Sequence, residues 1–129
     1  MARANAPTEQ DDALEALETP YCLVLTTVAD EQQAQALAHR IIETRLGACV
    51  QIDHVHSVYR WDGQLCSEPE CRLMIKTRRA LFEALAQFIR ANHSYKVPEI
   101  VQIALTAGSA DYLHWIDEGT QSGGCPEQS

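Results

Sequence analysis

The chain has 129 residues, of which 46% are apolar, with a formal net charge of −8; that is the size of one ordinary domain with a real core. The acidic excess is mostly terminal, because residues 1–20 carry a net −4 and residues 119–129 a net −1, leaving −3 for residues 21–118. No basic stripe for nucleic acid, no secretory leader and no apolar run of the ~20 residues that a membrane span needs is visible, so a soluble cytoplasmic protein is expected.

Residues 1–20 are rich in Ala, Glu, Asp, Thr and Gln and read as a disordered acidic tail ahead of a domain at 21–118. Tyr21 to Val28 is a continuous apolar and β-branched run, the pattern of a central strand covered on both faces. Asp30 with Gln33 resembles a capping box, and Ala34, Leu37, Ala38, Ile41, Ile42 and Leu46 follow at helical spacing. Gly47 stands where a left-handed helix cap is expected.

Ala48 to Ile52 opens a second strand, and Val55, Ser57, Tyr59 and Trp61 continue it on the opposite parity, which predicts a bulge near Asp53. Asp62-Gly63 is a hairpin turn that returns the chain through Gln64–Cys66 and Cys71–Thr77. Pro69 can donate no ladder bond, so the outer part of this arm is predicted to be an edge or a bulge. A helix over Arg79–Ala91, a buried strand from Ile100 to Leu105 and a short helix capped by Ser109, burying Tyr112, Leu113 and Ile116, complete the domain. Residues 119–129 read as a flexible tail.

Strand, helix, strand, strand, helix, strand, helix is the order of an α+β, ferredoxin-like split βαβ fold with a C-terminal helix added. One layer of helices covers one face of such a sheet. The other face, or the hairpin edge, is expected to pack on further copies of the chain in a closed homo-oligomer.

The five cysteines Cys22, Cys49, Cys66, Cys71 and Cys125 are odd in number and form no Cys-x-x-Cys pair, which favours neither a disulfide framework nor a structural zinc site. Most read as small core residues, with Cys125 on the tail. No phosphate-binding glycine motif and no nucleophile motif occurs, so a non-enzymatic protein is expected. His54 and His56, two apart on a strand, could share a metal ion with Cys49 or Asp53, although exposed hairpin histidines are ordinarily solvated. His39 reads as a surface residue. His93 is the better candidate for a metal or small anion, because its turn brings Tyr95, Lys96 and Glu99 near it. Lys76, in an apolar strand, needs water or an acid such as Glu70 or Glu99.

The segments Arg45–Val50, Ser57–Gly63, Ile75–Thr77, His93–Glu99 and Asp111–Ile116 together resemble the CutA family of divalent-cation tolerance proteins over about residues 21–118. The resemblance implies a tight ferredoxin-like homotrimer whose long hairpins pair between subunits, and a link to tolerance of copper or other divalent cations, with no required cofactor. It places a metal contact at His93 and an intersubunit cleft near Cys49, Trp61, Lys76, Tyr95 and Glu99. Several family members carry Cys where this chain has Thr26 and His where it has Asn92, so two metal ligands are missing here. An alternative reading is a signalling or scaffolding trimer that binds a small metabolite or a partner protein in that cleft.

Overall fold

The computed structural model describes residues 19–122. Strand β1 (Tyr21–Val28), helix α1 (Glu31–Glu43), strands β2 (Cys49–Trp61) and β3 (Gln64–Arg78) come first. A helical turn at Arg79–Leu81 leads into α2 (Phe82–Ala91), followed by β4 (Val101–Ala104) and α3 (Ala110–Gly119). The sheet order is β2-β3-β1-β4, and every neighbouring pair is antiparallel. The expected acidic N-terminal tail up to residue 18, and Cys125 with the last seven residues, lie outside the described residues.

The core lies on one face of this sheet. Cys22 and Val24 of β1 and Leu73 and Ile75 of β3 are fully buried against Ala34 and Ile41 of α1 and Leu85 and Ile89 of α2. Burying each Leu or Ile stabilises by roughly 1.5–3 kcal/mol.

Helix α1 starts where Asp30 accepts a 2.8 Å hydrogen bond from the Gln33 N–H. It does not end at a glycine cap as expected. Arg45 takes the left-handed conformation (φ 61), and a paired closure forms as Arg45 N–H donates to the Ile42 carbonyl and Leu46 N–H to the Ile41 carbonyl. Gly47 is required for space instead, since a Cβ there would stand 2.7 Å from Ile75 Cγ2 and 2.9 Å from Ile41 Cγ2.

Strands β2 and β3 pair without interruption from Cys49↔Lys76 to Trp61↔Gln64, so the bulge expected near Asp53 is absent. The parity change has another cause. Val50 and Ile52 point to the helix layer, whereas Val55, Tyr59 and Trp61 point to the opposite face, where the loop after α2 folds over the hairpin. The cover changes sides while the strand stays regular. Asp62 (φ 55) and Gly63 (φ 77) form the tight turn. Beyond Cys71, β1 no longer pairs with β3, so Gln64–Glu70 and their β2 partners project as a two-stranded arm about 23 Å long. Pro69 lies on that arm, as expected of an edge.

The second sheet face is open in the single chain, as expected of one layer of helices on such a sheet. Leu23 and Leu25 are half-buried, and their β4 partners Ile103 and Val101 are 47% and 44% exposed. Strand β4 is also shorter than expected, four residues against six. Helix α3 covers one end of the open face. Ser109 caps it, Ile116 is buried, and Asp117 accepts a 2.8 Å hydrogen bond from the Tyr21 hydroxyl. Tyr112, expected inside, is exposed and stacks on Trp115.

Residues just after 118 also pack on the domain. Thr120 is buried and accepts from Arg78 Nε at 2.9 Å, and the Gln121 N–H donates to the Arg45 carbonyl.

Candidate functional site

Helix α2 ends at Asn92, whose Nδ2 donates to the Phe88 carbonyl at 2.8 Å, and the chain then wraps over the hairpin arm. His93 fixes this wrap. Its Nδ1 accepts the Tyr95 N–H at 3.0 Å, so the ring proton sits on Nε2, which donates to the Thr27 carbonyl at 2.7 Å. The imidazole thereby ties the loop to the end of β1 and sets the Tyr95 ring, 4.8 Å away between centroids.

The Tyr95 hydroxyl donates a 2.7 Å hydrogen bond to Glu70 Oε2. Burial holds the phenol well above the ordinary tyrosine range, and the bond to the Glu70 carboxylate adds to the effect. Beside this pair opens a groove of about 620 Å³, walled by Tyr59, Trp61, Val97 and Tyr95 and edged by Glu68, Glu70, Glu99 and Lys96. Aromatic walls with three carboxylates and one amine suit an apolar body carrying hydrogen-bond donors or positive charge.

Of the residues expected in one cleft, Trp61, Tyr95 and Glu99 meet in this groove. Cys49 and Lys76 do not. They face each other at the opposite end of the hairpin, and Cys49 is separated from Trp61 by the length of β2, about 40 Å. Lys76 reaches neither Glu70 nor Glu99. Its ammonium donates to Gln51 Oε1 at 3.0 Å and lies 5.5 Å from the centre of the Tyr112 ring.

The positions matching the family's metal ligands do not fit an ion. The Thr26 hydroxyl is buried without a partner, Asn92 is spent on its helix, and both His93 nitrogens are engaged. His56 bonds to Ser67, and Asp53 holds Arg72 through two bonds at 2.8 and 3.2 Å. His54 faces neither Cys49 nor Asp53; it lies between Glu31 and Cys71. Sequence reasoning missed Glu70, Glu31 and Cys71 as site residues. The Asp62-Gly63 turn could have found two of them, because a two-residue loop sets Val55 opposite Glu70 and His54 opposite Cys71.

The fold and the groove of the described residues define a small α+β domain with an antiparallel four-stranded sheet, three helices and a projecting hairpin. Residues 22–119 match the family described as CutA1 divalent ion tolerance protein, and the chain belongs to that family. It is 39% identical over 104 residues to the chloroplastic protein CutA of Arabidopsis thaliana, covering 80% of this chain and 57% of that protein. It is also 39% identical over 99 residues to the divalent-cation tolerance protein CutA of Thermus thermophilus, covering 76% and 96%. Among solved structures, CutA1 from Oryza sativa superposes with a TM-score of 0.78 at 37% identity, over 81% of this chain and 96% of that one. The chain spans a little over half the length of the Arabidopsis, rice and mouse relatives.

Proposed function

We propose that this protein is a non-enzymatic homotrimer of ferredoxin-like subunits that acts in tolerance of divalent cations such as copper. The observation that carries the assembly is the apolar surface left on the single chain. Val101 and Ile103 on the open sheet face, and Val58, Trp61 and Leu65 on the arm, are 44–73% exposed. Apolar patches and unpaired strand edges of this kind mark protein interfaces. The separation of Cys49 from Trp61 supports the same reading, because a cleft containing both has to combine different chains.

The cation role rests on the family and on the names of its relatives, and His93, committed to the loop, is not required for it. Disrupting the gene in its host and measuring growth on rising copper and zinc tests it. The reading predicts lost tolerance, restored by the wild-type gene; unchanged growth on both metals removes it.

The groove favours a second reading, a scaffold or sensor that takes a small metabolite or a partner side chain beside Tyr95. A thermal-shift screen separates the two, since a groove ligand raises the melting temperature by mass action and loses its effect in Trp61→Ala.

A further inference from the structure

Where the hairpin leaves the body of the sheet, three side chains with metal-ligand atoms converge on the helix-facing side. Cys71 is the last β3 residue paired to β1, through Val28, and His54 is its cross-strand partner on β2, so the two side chains share a face. Glu31, the first residue of α1, lies over them. Cys71 Sγ is 3.5 Å from His54 Nδ1 and 4.0 Å from Glu31 Oε1, and His54 Nε2 is 3.0 Å from Glu31 Oε1. One ligand atom from each residue lies within 4.8 Å of those of the other two.

One ion takes a single nitrogen of His54, whose Nδ1 now faces Cys71 and whose Nε2 faces Glu31, so the imidazole has to turn for one ion to meet all three. A tetrahedral centre with sulfur at about 2.3 Å and nitrogen or oxygen at about 2.0–2.1 Å has ligand edges of roughly 3.3–3.6 Å. Closing the set needs only side-chain rotation of His54 and Glu31, which are 74% and 50% exposed, while Cys71 stays seated in the core at 3%. A single histidine aimed at both a thiol and a carboxylate is also the order of a nucleophilic relay. That use fits poorly, because the thiol is buried and because burial and the charges of Glu31, Asp30 and Asp53 hold it protonated. The same carboxylates favour a cation, and they offset the positive end of α1.

We propose that Glu31, His54 and Cys71 form a binding site for a borderline divalent cation of the zinc type, with water at the fourth position. One sulfur, one imidazole and one carboxylate select such ions over magnesium or calcium. Binding would release the thiol proton and replace the hydrogen bonds that His54 makes now. The site shares no residue with the groove or with His93, so it stands or falls apart from the tolerance role.

Calorimetric titration of the whole chain with zinc, paired with cobalt(II) absorption, tests it. The expected result is one zinc per chain, a sulfur-to-cobalt charge-transfer band, and an affinity loss of roughly tenfold or more in His54→Ala and Cys71→Ser. Cys125→Ser should bind as the wild type does, and magnesium should not compete. The histidine is largely exposed, so His54→Ala provides the decisive comparison even if Cys71→Ser folds poorly. Absence of zinc binding, absence of the charge-transfer band, or undiminished affinity in His54→Ala overturns the proposal.

Discussion

Tyr95 and Glu70, 25 residues apart on a loop and a strand, are joined by a 2.7 Å hydrogen bond, and Glu70 is only 7% exposed. The pair pins the loop after α2 to the projecting arm and lines the groove. A carboxylate in that position depends on its donor, because an unpaired buried acceptor loses its water without compensation.

Tyr95→Phe should therefore destabilise the fold by roughly 2–3 kcal/mol, read as a lower urea midpoint, while Glu70→Gln, which keeps an acceptor, should cost less. The pH dependence follows from the direction of the phenol's shift. Its folded pKa is raised above the unfolded value of about 10, so the folded state holds the proton longer. The contribution is complete below pH 10 and is lost as pH rises through the folded pKa. Stability should fall less steeply above pH 10 in Tyr95→Phe than in the wild type; equal slopes would contradict this.

Thr26 carries the one buried side-chain polar atom that lacks a hydrogen bond among the described residues. Valine has the same shape without the hydroxyl. Thr26→Val should leave the fold intact and stabilise it by about 1 kcal/mol, a rise that differential scanning calorimetry can resolve. A loss of stability would mean that the hydroxyl has a partner.

Gly47→Ala should cost about 1–3 kcal/mol, because the new methyl meets Ile75 and Ile41, both fully buried and unable to withdraw into solvent. Chemical denaturation checks this. An unchanged midpoint would show that α1 shifts freely on β3.

The element order, the α1 register and the hairpin turn were legible in the sequence because each depends on local spacing: Asp30 before Gln33, Ala34 to Ile41, Asp62-Gly63. Tertiary context decided what was misread. Arg45 rather than Gly47 takes the left-handed position, and glycine at 47 gives clearance against Ile75 and Ile41, which no local spacing announces. The alternation after Asp53 looked like a bulge because nothing local announces that the covering layer changes sides. Within one chain Trp61, Tyr95 and Glu99 line a groove while Cys49 and Lys76 lie at the other end of the hairpin, because a cleft shared between chains leaves no signature in local spacing. Glu70, Glu31 and Cys71 escaped notice since their importance arises only from pairing across strands and from the seat of α1.

The central claim is that the open sheet face and the projecting arm are covered by two further copies of the chain. Light scattering coupled to size exclusion, at micromolar protein, measures this directly. The account predicts a mass about three times the 14.4 kDa chain, falling towards one chain in Ile103→Lys, where a charge is set into the apolar face. A wild-type mass of a single chain would contradict it.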